Sequence, residues 1–191
     1  MLVLGFSVSL VQAGAIIDFG DAGLSGGSLV LEDGGTNIAG LNIPIGILRF
    51  QNNSPITPYT VTGGLLNFDT KANFIRITGA VTGLDINDPN TVLLTGTFSN
   101  FEVENNGTII ALKDAHGIDT KSRELLSALN LDPTLPFTLF GFSISGQQFD
   151  GIFQAVSTDM INTQVPEPMT LLLIGTGLVG FGVSRIRSRK A

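Results

Sequence analysis

Hydrophobic and polar residues alternate along much of this chain, and that period of two predicts short β-strands. At residues 74–78, Ile75 and Ile77 fall on one face. Residues 91–98 and a run that begins at Phe137 alternate in the same way. Further strand-like runs cover residues 28–31, 43–50, 59–62, 65–68, 108–112 and 148–158. The pattern therefore predicts a mainly antiparallel β fold.

Turn residues separate these runs. Gly63 and Gly64 allow a bend or bulge within one strand, and the sequence Asn105-Asn106-Gly107 favours a hairpin turn. Pro44 interrupts the run at residues 43–50, which is typical of an edge strand because proline cannot donate a backbone hydrogen bond.

One segment has a helical period. Leu125, Leu126 and Leu129 fall on one face, Asp119 or Thr120 can serve as the N-cap, and Pro133 ends the helix. Together with the strands, this predicts a β-sandwich domain over residues 16–161, antiparallel and jelly-roll-like, with one short helix.

Composition narrows the functional classes. The chain has no cysteine, so burial and hydrogen bonds hold the fold without disulfides, and a thiolate metal site is excluded. Residues 16–164 contain fifteen Asp and Glu against six Lys and Arg, a net charge of −9. Such an acidic domain argues against nucleic acid as a partner.

The N-terminal residues 1–15 read as a signal peptide. An apolar run reaches Val11, and Ala13 and Ala15 fit the small-x-small pattern of signal-peptidase sites. The basic region that normally precedes such a run is missing, so we expect a truncated leader. A buried first strand is the alternative interpretation.

The C-terminal segment has three parts in a fixed order. Val165, Pro166, Glu167 and Pro168 come first, and the prolines keep this tetrapeptide extended. Residues 169–184 carry no charge and would form a helix of about 24 Å. Flanking residues extend it toward the bilayer thickness of about 30 Å. The basic residues that end the chain would stay in the cytoplasm: Arg185, Arg187, Arg189 and Lys190.

This order of parts resembles the PEP-CTERM sorting signal of Gram-negative bacteria. The resemblance covers about the last 27 residues and rests on Pro166-Glu167-Pro168, the apolar span and the terminal arginines. It implies a linker and motif at 162–168, a transmembrane helix at 169–191, and recognition by an exosortase-type membrane enzyme. It also implies an inner-membrane intermediate, then delivery to the cell surface or extracellular matrix, where the family is linked to exopolysaccharide and biofilm.

Small residues within the apolar span have two interpretations. Gly175 to Gly180 match the glycine spacing of dinucleotide binding, but the chain ends too soon for the rest of that fold. Thr176, Gly180 and Ser184 form a small face at four-residue spacing, which allows close helix packing in lipid. That face either packs against a partner helix or only fills the span.

Candidate catalytic residues are few. His116 lies between Asp114 and Asp119, and Ser25 lies in the sequence Gly23-Leu-Ser-Gly-Gly27. No second histidine is available for a common zinc site, and no helix pattern follows Ser25 as a nucleophile elbow requires. We interpret His116 as part of a polar loop before the helix and Ser25 as part of a glycine turn.

Asp85, Asn87 and Asp88 supply oxygen atoms of the kind that calcium prefers, although Asx residues beside a proline also form ordinary turns. The sequence requires no cofactor, and calcium is the one candidate. We expect a non-enzymatic binding or structural module with exopolysaccharide as a candidate partner. The alternative is an extracellular carbohydrate-active enzyme, since β-sandwiches host both classes.

Overall fold

A computed structural model describes residues 14–133 and 139–163. These residues form nine β-strands, a short 3-10 turn at Asp33–Gly35 and one α-helix, α1, at Arg123–Ala128. The strands are β1 (Ile16–Gly20), β2 (Gly26–Glu32), β3 (Asn37–Gln51), β4 (Thr57–Asp69), β5 (Phe74–Val81), β6 (Val92–Asn105), β7 (Ile109–Lys121), β8 (Leu139–Phe149) and β9 (Ile152–Thr163). The prediction of a mainly antiparallel β fold with one short helix is confirmed.

The strands pair in chain order, and the sheet closes on itself. From β3 to β9 each strand is antiparallel to the next one along the chain. Strand β9 then pairs with both β1 and β2, and both of these pair with β3. The two short strands thus share one place in the ring, with β1 beside Ile47–Gln51 and β2 beside Asn37–Leu41. This order differs from the Greek-key order of a jelly roll, because β3 to β9 follow one another without a crossover.

One continuous core fills the inside of the closed sheet. Along most strands, alternate residues face inward and are buried, as the period of two requires. Four phenylalanines pack edge to face at its centre, with ring centroids 5.2 Å apart for Phe68 and Phe142 and 5.7 Å apart for Phe98 and Phe140. Edge-to-face contacts of this kind add about 0.5–1.5 kcal/mol each beyond burial.

Strand β3 is not an edge strand, so the interpretation of Pro44 was wrong. Residues 42–46 face the gap between β1 and β2, where no strand is available to accept a hydrogen bond from position 44. The loop after β1 fills this gap. A Cβ on Gly46 would lie 2.8 Å from the carbonyl oxygen of Asp21 and 2.9 Å from Leu24 Cδ1, so only glycine leaves room for the loop.

Helix α1 begins later than predicted. Asp119 and Thr120 belong to β7, and the N-cap is Ser122, whose Oγ accepts a hydrogen bond from the Leu125 backbone N–H at 3.1 Å. The amide of Ser122 donates to the carbonyl oxygen of Leu93, which attaches the helix to β6. Leu125 and Leu126 are buried, as predicted.

Two further boundaries differ from the prediction. The run at residues 148–158 contains a hairpin turn at Asp150 and Gly151, which both have positive φ, as the tight turns between antiparallel strands require. Strand β9 continues to Thr163, two residues into the predicted linker, and Thr163 pairs with Ile16. The beginning of β1 and the end of β9 therefore lie side by side at the same end of the sheet.

Several predictions fall outside the described residues. They include the signal peptide at its residues 1–13, the sorting tetrapeptide, the small face and the basic cluster. No helix within residues 14–133 and 139–163 is long and apolar enough to cross a bilayer. The transmembrane helix predicted at 169–191 lies beyond them.

Candidate functional site

Three charged side chains from neighbouring strands meet on the outer face where β1 closes the sheet. Asp18 on β1 is directly opposite Arg49 on β3, and Arg49 Nη1 donates a hydrogen bond to Asp18 Oδ2 at 2.9 Å. Asp159 on β9 is opposite Gly20, which places it diagonally next to Asp18. The pairing of the first strand with the last one therefore brings together carboxylates from opposite ends of the domain.

This cluster combines two carboxyl groups, those of Asp18 and Asp159, with the single positive charge of Arg49. Burial raises the pKa of Asp159, the negative charge of Asp18 raises this pKa further, and Arg49 opposes the shift. The second oxygen of Asp18, Oδ1, is buried and accepts no hydrogen bond from any described residue. Asp18 is therefore close enough to Asp159 for its negative charge to disfavour ionisation of the Asp159 carboxyl.

A third carboxylate nearby has a structural role. Asp21 Oδ2 accepts a hydrogen bond from the Thr158 backbone N–H at 2.7 Å, and its Oδ1 accepts one from the Gly23 N–H at 2.7 Å. Asp21 therefore fastens the loop after β1 to strand β9. Both of its oxygens are engaged in these bonds.

An ion pair lies inside the closed sheet near α1. Lys121 Nζ is 2.6 Å from Asp119 Oδ1, and both side chains are 0% exposed. Burial is the largest effect on each group: it lowers the pKa of Lys121 to about 8 and raises the pKa of Asp119. Asp119 Oδ2 has no hydrogen-bond partner among the described residues. Burial in the interior thus disfavours both charges, and the attraction between them offsets part of that cost.

The structure does not bring the candidate nucleophile and base together. His116 lies within β7, opposite Asn100 and Gly141, so its assignment to a loop before the helix was wrong. Its side chain is exposed, whereas Asp119 faces the interior. Ser25 precedes β2, which is three strand positions from β7 in the ring, or about 14 Å. These residues therefore do not form a catalytic triad.

The calcium candidates lie in the loop between β5 and β6. Asp88 Oδ1 accepts a hydrogen bond from the Asn90 backbone N–H at 2.8 Å, and Asn87 Nδ2 donates to the carbonyl oxygen of Asp85. Asp85 has a positive φ. These are the local bonds of Asx turns. Within the described ranges, no group of three or more His, Asp or Glu side chains could hold a metal ion.

Sequence comparison identifies the tail. A family model described as the PEP-CTERM protein-sorting motif matches residues 164–188. The chain carries a PEP-CTERM protein-sorting motif. The match includes the predicted tetrapeptide, Val165 to Pro168, and the small face, Thr176, Gly180 and Ser184. No curated protein and no solved structure matches the chain.

The PEP-CTERM motif indicates how the protein is exported and sorted. It supports export, processing by an exosortase-type enzyme and membrane-associated sorting to the cell surface. Arg185 and Arg187 fall inside the match, and Arg189 and Lys190 follow directly after it.

Sequence reasoning missed both groups of charged side chains in the domain, the outer cluster around Asp18 and the buried ion pair. Asp18 and Asp159 are far apart in sequence, and their proximity depends on the pairing of β1 with β9. The signal for the buried pair was the alternation at the end of β7, where Asp119 and Lys121 continue the inward positions of Ala115 and Gly117. The helix assignment at Asp119 hid that signal.

Proposed function

We propose that this protein is an exported surface or extracellular-matrix component whose domain is a non-enzymatic binding or structural module linked to exopolysaccharide. The PEP-CTERM motif carries the first half of this proposal. The second half is supported by the family resemblance and by the outer charge cluster, in which Arg49 partly neutralises the carboxylates. The transmembrane helix and the inner-membrane intermediate belong to the same proposal.

The position of the motif suits removal of the tail. Strand β9 ends at Thr163, and the preceding residue, Asn162, is fully buried. The tetrapeptide starts two residues after Thr163. A cut within residues 165–168 therefore breaks none of the strand pairs that the structure describes. The domain keeps all nine strands after such a cut.

A processing experiment tests the sorting half. The native host would express the full chain, a variant with Pro166, Glu167 and Pro168 replaced by alanine, and a control with Pro89→Ala in the loop between β5 and β6. We expect the wild type and the control to lose the tail by mass spectrometry and to leave the membrane fraction. The triple variant should keep its full mass in the membrane. Equal processing of all three proteins would contradict the proposal.

A glycan screen tests the role of the domain, with the exported and processed protein as the probe. Binding without product formation, with or without calcium, supports a binding module. Absence of glycan binding supports a structural role. A calcium-dependent signal that Asp85→Asn and Asp88→Asn abolish would assign that ion to the loop between β5 and β6.

The second candidate, a carbohydrate-active enzyme, is favoured by one observation. Glycoside hydrolysis needs two carboxyl groups with different pKa values, and Asp159, with its raised pKa, lies beside Asp18. The ion pair of Asp18 with Arg49 on an outer sheet face opposes this reading. Product formation that Asp159→Asn abolishes and Asp150→Asn retains would establish the enzyme and exclude the binding module.

A further inference from the structure

A cleft opens at the tip of the hairpin that joins β6 to β7. It has a volume of about 290 Å³ and is lined by Glu104, Asn105, Asn106, Ile109 and Ala111. We name it the hairpin cleft. Its volume lies just below the range of about 300–1,000 Å³ that is typical of small-molecule sites. The hairpin cleft therefore has room for one small chemical unit and not for a large cofactor.

The strand register builds the hairpin cleft on the outer face of the sheet. Glu104 on β6 is directly opposite Ala111 on β7. The backbone N–H of Asn106 donates to the carbonyl oxygen of Ile109 at 3.1 Å, which continues the same pairing into the turn. Because Ile110 is fully buried, Ile109 and Ala111 on either side of it face outward. Ala111 is nevertheless only 7% exposed, so its small side chain forms a floor between larger neighbours.

The amide side chains of the turn are held in place by its backbone. Asn106 Oδ1 accepts hydrogen bonds from two backbone N–H groups, at 3.1 Å and 2.8 Å, and Asn105 Oδ1 accepts one from the Gly107 N–H at 2.8 Å. The backbone N–H of Gln148 donates to the carbonyl oxygen of Thr108 at 2.9 Å, which fastens the turn to β8. With each amide oxygen fixed, the adjoining NH₂ group is a donor that loses little conformational freedom when a ligand binds.

Carboxylates border the hairpin cleft and disfavour an anionic ligand. Lys113 Nζ lies 2.5 Å from Glu104 Oε2, so this cation is already paired, whereas the other oxygen of Glu104 can accept further hydrogen bonds. Glu102 lies two residues before Glu104 on the same face, and Asp150 lies in the turn that follows β8. These negative charges, within a domain of net charge −9, repel acidic groups. The hairpin cleft therefore fits a neutral ligand better than an acidic one.

Uncharged polar side chains continue the outer face from the hairpin cleft across β8 and β9. Two rows lead away from it, with neighbouring strands about 4.8 Å apart. In one row Ile109 pairs with Gln147 and Gln147 with Gln154, and in the other Ala111 pairs with Ser145 and Ser145 with Ser157. Amide and hydroxyl groups both donate and accept hydrogen bonds. Phe149 lies two residues beyond Gln147 on the same face and is 47% exposed, which adds an aromatic surface beside the rows.

We propose that the hairpin cleft binds one unit of a neutral glycan whose chain continues over the polar rows on β8 and β9. Each hydroxyl group of a sugar both donates and accepts, which matches the fixed amide donors and the free oxygen of Glu104. The C–H face of a sugar ring suits the exposed side chains of Ile109 and Phe149. A purely apolar ligand would leave the polar groups unpaired. The assignment rests on the proposed function, a binding module, and adds the site and the class of ligand.

Affinity electrophoresis of the exported and processed protein tests the site. Native gels would contain dextran, galactomannan or hydroxyethylcellulose as neutral probes, and polygalacturonate as the acidic counterpart. Ala111→Leu fills the floor of the hairpin cleft and should lower the association constant for a retarding neutral polymer about tenfold or more. The control Thr95→Leu adds the same bulk to the exposed face of β6, nine residues before Glu104 and about 30 Å away, and should leave binding unchanged. Gln147→Ala alters only the exposed row and should weaken binding without changing the Tm.

The outcomes separate the site from the proposed function. Retardation by a neutral polymer that Ala111→Leu and Gln147→Ala weaken, and Thr95→Leu retains, supports the hairpin cleft. Equal retardation of the wild type and these two variants places the glycan elsewhere on the domain, which overturns the site and leaves the binding module standing. Stronger retardation by polygalacturonate than by any neutral polymer overturns the ligand class. No retardation by any of the four polymers overturns the site and counts against the binding module as well.

Discussion

The buried ion pair of Asp119 and Lys121 allows a sharp test of what holds the interior together. Lys121→Met keeps the length and apolar stem of the side chain but removes its charge. Asp119 then remains inside the sheet without the ammonium group that the wild type places 2.6 Å from Oδ1, while Oδ2 already lacks a hydrogen-bond partner among the described residues. Breaking one side of a fully buried pair costs about 3–5 kcal/mol, a large part of a total stability of about 5–15 kcal/mol.

The double variant Asp119→Leu/Lys121→Met isolates the charge. Leucine has the branched shape of aspartate, so both charges disappear while most of the volume remains. Buried pairs replaced in this way are commonly neutral or about 1–4 kcal/mol more stable, because the desolvation cost also disappears. The single variant should therefore be much less stable than the double variant, although the double variant has lost more polar contacts.

Scanning calorimetry on a fragment covering Ala13–Val165, which the contacts define as one unit, measures the difference. A loss of about 3–5 kcal/mol corresponds to a decrease in Tm of about 6–20 °C for a domain of this size. Calorimetry suits this chain because it lacks tryptophan and has a single tyrosine. Equal losses in the single and double variants would refute the reasoning, since packing and not the orphaned charge would then be responsible.

The pH dependence gives an independent check of sign. The folded protein lowers the pKa of Lys121 from 10.5 to about 8, so the unfolded chain binds more protons between these values. The contribution of Lys121 to stability therefore rises with pH from about 8 to 10.5, and Lys121→Met should remove this rise. In that variant the destabilisation should shrink in acid, because protonation removes the charge of the orphaned Asp119.

Three further substitutions test other parts of the fold. Asp159→Asn should raise the Tm at neutral pH but not below pH 3.8, and the exposed control Asp85→Asn should leave the Tm unchanged at both pH values. The reason is that the folded state raises the pKa of Asp159. The wild type therefore loses stability as the pH rises from 3.8 through that raised value. Ser122→Ala should lower the free energy of unfolding in chemical denaturation by about 0.5–2 kcal/mol, because the N-cap hydrogen bond is lost. An equal loss in the control Ser127→Ala would show that the cap is not responsible. Gly46→Ala should lower the free energy of unfolding by about 1–3 kcal/mol, because the loop after β1 occupies the space that the added methyl group needs. The control is Gly141→Ala, whose methyl group would meet no atom within 4 Å, and it should leave the free energy of unfolding unchanged in the same denaturation series.

Local patterns predicted most strands and turns because their causes are local. The alternation of Ile75 and Ile77 and the turn at Asn105 to Gly107 depend on side chains within a few residues, and both are confirmed. The bulge at Gly63 and Gly64 is confirmed in the same way, by the register shift between Thr62 and Leu65.

Closure of the sheet could not be predicted, because it depends on partners that are distant in sequence. Pro44 indicates an edge strand when β3 is considered alone. It is compatible with a central strand here because the neighbouring position is divided between β1 and β2, and the gap falls beside Pro44. The helix start was misplaced for a related reason. Asp119 is a good N-cap by residue type, but pairing with Gly96 on β6 extends β7 through it.

The pairing of β1 with β9 links folding to the sorting route. The ring cannot close until the last strand is available up to Thr163, because both β1 and β2 need β9 as a neighbour. The matched sorting motif begins at residue 164, directly after that strand. If the tail holds the chain at the membrane, it holds the strand that completes the fold. A cut made inside β9 would separate Met160 and Asn162 from the core and expose Ile17 and Phe19, which are otherwise fully buried. Placement of the motif just beyond β9 therefore lets processing release the domain without opening its sheet.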